Sequence, residues 1–414
     1  MSDNNEIRIL TTPQGAMNLR NEMSRRGFLM VSAGAGMAAF LAACSSSSKS
    51  GAATTTSSGS TTTASGAAST AVTTAAASTA PPVAGAKTFN LYTWAEYDDP
   101  KLMESFGNIT IDIFNSNEEA VATLAGAKGT SGYDMVVPTG GYIPQMAKAD
   151  LLEALDLSRI PNFKNLDVAY TNQPWDQGNK YSVCKNFGTT GWIYDTQVVK
   201  TEIKTWNDFI KACQTVAKGN CSVLDTAPNL CGVYFWANGI NWTTEKTDEL
   251  DACEKFIVEQ LAPNLKAFDS YPGINLTKGD YAISQVWNGD ARQGLLKLEE
   301  AGKDPNRYVW GMGAPKTEIF MDNWCILKGA KNVDASYNFI NFILDPANSA
   351  KDVAFHGYNT GLTGIEKLVP ASVKRQDIIW VTPEQQKLLE TGAVNSAQDR
   401  LVSIYNKAKA AAGK

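Results

Sequence analysis

An α/β fold built around a parallel sheet is what residues 87–138 predict, on three observations. Strand-like and helix-like segments alternate from strand to helix to strand to helix to strand within about fifty residues, the pattern of βαβ units. Both helix candidates carry start signals. Trp94 and Thr139 fall just past strand ends, where open α/β sheets hold their ligands.

The elements follow in order. Residues 89–94 (Phe-Asn-Leu-Tyr-Thr-Trp) read as a first strand. Asp99-Pro100 opens a helix through Phe106, with proline where its missing N–H costs nothing. Residues 109–114 alternate and are β-branched, a second strand. Ser116-Asn117-Glu118-Glu119 opens the next helix, its acids favourably placed in the first turn. Residues 133–138 form a third strand, stopped by Pro138 and followed by Gly140-Gly141. Further along, 206–216, 248–261 and 335–344 read as amphipathic helices, and 283–287 and 324–327 as strands. No internal repeat is present.

The chain has 414 residues, 37 Lys+Arg, 42 Asp+Glu and a single histidine, His356. One histidine leaves no two-His zinc site, and a Ser-His-Asp or Cys-His hydrolase would have to be built on that ring alone. A net charge of −5 argues against nucleic acid, whose binding relies on clustered Lys and Arg. No cofactor or metal is called for.

The first 86 residues do not read as a domain. Ser24-Arg25-Arg26-Gly27-Phe28-Leu29 is a twin-arginine sequence, followed by an apolar, small-residue run over 27–43. A basic segment before a short apolar one is an export signal; a plain positive n-region for the general export route is the alternative. Leu41-Ala42-Ala43-Cys44 resembles a bacterial lipobox, which makes Cys44 the lipidated residue of a leader spanning 1–44. From 45 to 86, 37 of 42 residues are Ser, Thr, Ala or Gly, too little to bury to offset the entropy of ordering. This stretch is expected to be a disordered tether of roughly 35 Å r.m.s. span. Its Ser/Thr content with Pro81 and Pro82 also suits an O-glycosylated stalk. Residues 1–86 carry five basic and three acidic groups, which leaves 32 basic against 39 acidic over 87–414, a net of −7. The expected location is the outer face of the cytoplasmic membrane, in the periplasm or cell-wall space.

Six cysteines follow Cys44: Cys184, Cys213, Cys221, Cys231, Cys253 and Cys325. An even count in an oxidising compartment suggests three disulfides, with fifteen connectivities open. Cys231–Cys253, between antiparallel helices, and Cys184–Cys325, between neighbouring strands, are the favoured pairings.

Residues 91–97 (Leu-Tyr-Thr-Trp-Ala-Glu-Tyr), 133–139 (Tyr-Asp-Met-Val-Val-Pro-Thr) and 286–290 (Val-Trp-Asn-Gly-Asp) resemble successive motifs of the bacterial spermidine/putrescine-binding proteins. Phe320-Met321-Asp322, the stretch 340–346, His356-Gly357-Tyr358 and Ser403-Ile404-Tyr405 extend the match over nearly all of 87–414. No single motif is specific; their order and spacing are. The resemblance implies a type II, two-lobed periplasmic-binding-protein-like fold. Each lobe is a mixed sheet flanked by helices, with the ligand cleft between lobes. It places lobe 1 at 87–190 plus about 319–366, and lobe 2 at 191–318 plus about 367–414. It also implies a monomer without catalysis that delivers a small cationic amine to the permease subunits of an ABC importer.

A polyamine needs carboxylates for its ammonium groups and apolar walls for its methylenes, and aromatic faces serve both needs. The resemblance assigns Glu96, Asp290 and Asp322 to the amines and Trp94, Tyr97, Trp287, Phe320 and Tyr358 to the walls. Thr139 stands for a family serine and Asn395 for a polar amide near the C-terminus. Each has a plainer reading: Trp94 as core, Asp290 as N-cap of a helix starting at Ala291, Asp322 as a turn cap, Glu96 as a solvated acid. The family's D-x-x-E pair is displaced or lost, because the aligned segment reads Leu224-Asp225-Thr226-Ala227-Pro228-Asn229, and Asp225 substitutes only if the loop slips by one residue. A tyrosine expected two positions after Thr139 is Gly141, with Tyr142 next to it. These departures favour a putrescine-like diamine over spermidine. The rivals are a different amine, a sugar stacked on tryptophan, and an extracellular glycosidase using Glu96 and Asp322 as paired carboxylates.

Overall fold

The computed structural model describes residues 85–127 and 131–413. The leader with Cys44, and the tether up to residue 84, lie outside the described residues.

Among the described residues ten strands form one continuous sheet. They are β1 (Thr88–Trp94), β2 (Asn108–Phe114), β3 (Met135–Val136), β4 (Val183–Asp195), β5 (Cys221–Leu224), β6 (Ala267–Asp269), β7 (Ile283–Trp287), β8 (Tyr308–Met312), β9 (Thr317–Ile326) and β10 (Leu389–Thr391). The order across the sheet is β2-β1-β3-β9-β4-β7-β5-β6, with β8 beside β4 and β10 beside β9. The expected parallel start is present, since β1 pairs in parallel with both β2 and β3. Helix α1 (Pro100–Phe106) begins where Asp99 accepts from the Lys101 N–H, and α2 (Asn117–Gly126) where Ser116 accepts from the Glu119 N–H.

The third strand is shorter than its sequence predicts, and Asp134 is the reason. Its carboxylate takes the backbone N–H groups of Asn90, Lys331 and Asn332 and the amide of Asn332, so the Asn90 N–H bonds to a side chain while the Asp134 backbone still bonds to Asn90 and Leu327. Beyond β3 the sheet turns antiparallel through β9, β4 and β7, and β5 and β6 then pair in parallel. Strand β9 pairs with β3 on one side and β4 on the other.

All thirteen residues of β4 are buried. Residues from Val183 to Thr189 pair with β9, and those from Thr190 onward pair with β7 and β8. β4 therefore belongs to two halves of the sheet, and β9 runs alongside it at the crossing. The apolar core divides accordingly. One cluster joins Phe89, Met103, Trp324 and Phe339 on the β1 side; another joins Trp192, Trp206, Phe209, Trp236 and Ile404 on the β7 side. Burying such aromatic and aliphatic side chains stabilises by about 1.5–3 kcal/mol each. In the second cluster the indoles form a row, with centroids 5.1 Å apart from Trp192 to Trp206, 5.2 Å from Trp206 to Trp236 and 4.8 Å from Trp236 to Trp242.

The remaining principal helices are α3 (Trp206–Gln214), α4 (Ala227–Ala237), α5 (Thr247–Phe256), α6 (Asn288–Glu300), α7 (Val333–Ile343), α8 (Pro346–His356) and α9 (Gln398–Ala411). Helix α3 starts with a reciprocal capping box between Thr205 and Asp208. Helix α6 begins at Asn288 directly off β7, so Asp290 lies within its first turn and is not its N-cap. The helix read over 248–261 is α5 followed by a π turn at Ile257–Leu261.

The expected disulfides are corrected by the structure: all six described cysteines are free thiols and buried. Cys184 and Cys325 belong to different core clusters, and the Cys184 thiol meets the Thr360 carbonyl. Cys231 and Cys253 do adjoin, the Cys253 thiol lying 3.9 Å from the Cys231 carbonyl oxygen. Elsewhere a buried charge network sits beneath β4. Lys185 Nζ, fully enclosed, lies 2.8 Å from Asp98 Oδ1 and 3.7 Å from Asp352 Oδ2, and His356 Nε2 faces Asp352 at 3.2 Å.

Candidate functional site

A cleft of about 160 Å³ opens between the two halves of the sheet. By volume it holds roughly ten water-sized groups, room for a short aliphatic chain. Of the ten residues the sequence singles out, nine line it: Trp94, Tyr97, Thr139, Trp287, Asp290, Phe320, Asp322, Tyr358 and Asn395.

Strand β1 delivers its last residue, Trp94, to one wall. The indole N–H is held by the Val137 carbonyl at 3.0 Å, and the ring meets Phe114 edge-on at 4.4 Å. Strand β9 delivers Phe320 and Asp322, β7 delivers Trp287, and the first turn of α6 delivers Asp290. Phe320 sits T-shaped against Trp287 at 6.5 Å and against Tyr358 at 5.6 Å, and Tyr358 meets Tyr97 in the same way at 5.6 Å. Four aromatic rings thus make a continuous wall of edge-to-face contacts.

Asp322 is 4 % exposed. Thr139 Oγ1 donates to its Oδ1 at 2.6 Å, and Tyr97 Oη lies 2.6 Å from its Oδ2. Tyr97 Oη is also 2.5 Å from the Asn186 side-chain amide. A phenol has one proton, so the consistent arrangement sends it to Asp322 and turns the Asn186 N–H toward Tyr97. That also supplies a partner for the otherwise unpaired buried Asn186 amide nitrogen. Asn117 in turn fixes Thr139, its Nδ2 donating to Oγ1 at 3.0 Å and its Oδ1 accepting from the Thr139 N–H at 2.9 Å. On the other side Tyr358 Oη donates to Asp290 Oδ2 at 2.7 Å.

Sequence reasoning missed a third buried acid. Glu318, 8 % exposed, lines the cleft two residues before Phe320. Thr190 Oγ1 and Asn229 Nδ2 both donate to its Oε2 at 2.6 Å. The signal was present as the period-two run Glu318-x-Phe320-x-Asp322. Burial pushes Asp290 and Asp322 up to about 6 and Glu318 up to about 7, against the lowering effect of their hydrogen bonds. Burial, then the neighbouring Asp322 charge, pushes Tyr97 well above the usual phenol range. Among the described residues none of the three carboxylates has a Lys or Arg ion-pair partner, whereas Asp98, Asp195, Asp225 and Glu96 each do.

One candidate, Glu96, is corrected. Glu96 does not line the cleft: it turns in the left-handed region at φ 55°, and its carboxylate pairs with Lys297 Nζ at 2.6 Å. Asn395 lines the cleft, with one amide N–H donated to the Thr243 carbonyl and its oxygen accepting from the Ala397 N–H, which leaves a second N–H. Asp225 does not substitute for a lost acid. It is tied to Lys409, Tyr405 and Ser270, which hold it below the usual carboxylate range although burial opposes them. Tyr142, beside Gly141, does line the cleft and donates to Glu118 Oε1, which Gln398 of α9 reaches from the opposite half.

Gly188 on β4 stands opposite Phe320, and a Cβ there would lie 2.4 Å from the Phe320 ring and 2.7 Å from Tyr358. Gly188→Ala is therefore expected to lower stability in urea unfolding by about 1–3 kcal/mol, the usual cost of overpacking; unchanged stability would show that the rings move aside freely.

Two halves of a sheet joined by crossing strands, with a ligand-sized cleft between them, define a type II solute-binding protein. The profile of the family described as bacterial extracellular solute-binding protein matches residues 100–377, and the chain belongs to that family. It binds solutes and is not an enzyme. The spermidine/putrescine-binding periplasmic protein of Escherichia coli is 30 % identical over 78 % of this chain and 92 % of its own length. The putrescine/agmatine-binding protein of Pseudomonas aeruginosa is 26 % identical over 74 % and 87 %. Among solved structures, a putative spermidine/putrescine ABC transporter protein from Listeria monocytogenes superposes with a TM-score of 0.68 at 26 % identity, covering 78 % of this chain and 97 % of that one. Among the described residues no helix is long and apolar enough to cross a membrane.

Proposed function

We propose that the chain is the extracytoplasmic receptor of an ABC importer for a small aliphatic polyamine, with a putrescine-like diamine favoured over spermidine. The observation that carries this reading is the set of three cleft carboxylates without ion-pair partners, Glu318 and Asp322 buried and Asp290 half-buried, between aromatic walls. Burying acids without counter-charges costs free energy, and a bound dication offsets that cost. Trp94, Tyr97, Trp287, Phe320 and Tyr358 pack the methylenes, Asp290 and Asp322 meet ammonium groups, and Thr139 and Tyr97 orient Asp322. Lobe 1 comprises 87–190 and about 319–366, lobe 2 comprises 191–318 and about 367–414, and they close on the ligand as a monomer. Cys44 carries the lipid anchor, with residues 45–86 as the tether.

Isothermal titration with putrescine, spermidine, agmatine and maltose tests this. Binding of an amine supports it; heat with maltose alone favours the sugar reading and defeats this one.

The electrostatics set the pH dependence. In the ligand-free cleft Asp290 and Asp322 titrate near 6 and Glu318 near 7, so at pH 5 these carboxyls are largely protonated. An ammonium ion binds the ionised form, which lowers those values and expels protons. Diamine affinity is expected to rise at least about tenfold from pH 5 to pH 8, with proton release visible near pH 6–7 as a buffer-dependent heat. A flat profile would contradict the assignment of these carboxylates to the amines.

A further inference from the structure

We propose that Glu318 and Asp322 are a two-point grip on β9 for the two ends of a short unbranched diamine, with Phe320 between them against its methylenes. This rests on the amine-binding reading above and deepens it to a length rule.

Strand geometry supplies the ruler. Residues 318, 320 and 322 are two apart on one strand, so their side chains stand on one face. The stretch Ile319–Asp322 pairs with β4 without a register break, and Glu318 keeps its register against β10. At about 3.3 Å per residue, the Cα atoms of Glu318 and Asp322 are roughly 13 Å apart along the strand, and both side chains turn into the cleft, where they can lean toward each other. The nitrogens of an extended four-carbon diamine are roughly 6 Å apart from covalent bond lengths. A charge-assisted bond of about 2.8 Å at each end brings the span to about 12 Å. The acid–aromatic–acid order matches ammonium–methylene–ammonium. Gly188, opposite Phe320, leaves the ring room to lean over β4 at the floor of the cleft.

Glu318 is held for this task. Thr190, Asn229 and Trp287 donate to it, all neutral groups. Three donors leave room on a carboxylate with about four lone-pair sites. Among the described residues the buried Asp98 and Asp195 are each met by a basic side chain, whereas Glu318 and Asp322 are not. The cation they lack is supplied from the cleft. The site also explains Asn229. In the segment where the related proteins carry acids, this chain has an amide that donates to Glu318, so the negative charge enters from β9 instead. Asp290 lies on α6 with Tyr358, off this strand, and adds its charge from the facing wall.

The test uses the purified full-length protein and calorimetric titration with 1,4-diaminobutane and, as a one-ended probe, 1-aminobutane. Wild type is expected to prefer the diamine by about a hundredfold or more. Glu318→Gln is expected to lose about a hundredfold for the diamine, the scale of removing one partner of a buried ion pair, while keeping the monoamine within about threefold. A Glu318→Gln protein that binds the diamine within threefold of wild type overturns the grip and leaves the amine reading standing. A wild-type protein that binds neither of these two ligands overturns the grip, and one that also binds neither spermidine nor agmatine overturns the amine reading with it. Should the variant fail to fold, judged by its thermal melt, the wild-type chain-length series from 1,3-diaminopropane to 1,6-diaminohexane decides. An optimum at four to five carbons supports the ruler, and equal affinity at every length overturns it.

Discussion

Replacing Asp322 with asparagine is expected to weaken diamine binding by about a hundred- to a few thousandfold while raising the melting temperature of the ligand-free protein. The binding loss is the cost of leaving an ammonium in a buried site without its charge, about 3–5 kcal/mol. The stability gain has the opposite sign because the folded protein raises this carboxyl to about 6. A carboxyl raised on folding contributes stability that is full below its ordinary value near 4 and lost as pH rises through 6. At pH 7.5 the ionised side chain therefore costs the ligand-free fold about 3 kcal/mol. Asparagine keeps the oxygen that accepts from Thr139 and removes the charge. Calorimetric titration and a thermal melt on the same sample separate the two effects. A variant that loses binding and stability together would mark Asp322 as structural.

The second large effect is expected at Lys185, behind the cleft. Lys185→Met leaves Asp98 and Asp352 buried with no cation beside them, a loss of about 3–5 kcal/mol. At about 2 °C per kcal/mol for a chain of this size, the melting temperature should fall by roughly 6–10 °C. Lys185 Nζ also donates to the Tyr97 carbonyl at 3.1 Å and lies 4.5 Å from the Tyr97 and Trp324 ring centroids. Its loss should therefore reach ligand affinity through Tyr97. Adding Asp98→Asn should recover part of the stability by removing a charge left unpaired. A melt unchanged by Lys185→Met would show that the aspartates find other partners or protonate at little cost.

The first third of the fold is legible because its signals are local. Asp99 and Ser116 cap helices from the positions the sequence suggests, and β1 and β2 form where their strand-like runs lie and pair in parallel. Strand β4 is illegible for the opposite reason. Buried on both faces along its length, it carries Lys185, Asn186, Thr189 and Thr190 inside, so no alternation survives. Those polar residues are affordable only because Asp98, Tyr97 and Glu318 arrive from distant segments. Glu96 fails as a cleft residue through Lys297, a partner two hundred positions away that no local pattern announces. The disulfide expectation followed from compartment and count, which say nothing of where a thiol points. Cys184 faces a carbonyl and not Cys325. Glu318 could have been read, since it shares a strand face with Phe320 and Asp322. The family motifs drew attention to the latter two alone.

The row of indoles from Trp192 through Trp206 and Trp236 ends at Trp242, which itself borders the cleft with Trp94, Trp175 and Trp287. Chromophores about 5 Å apart exchange excitation readily, so light absorbed deep in one half of the sheet can migrate to the cleft edge before it is emitted. The protein's own fluorescence then reports on the cleft through more indoles than line it. An occupant that quenches Trp242 also drains the interior row, without any attached dye.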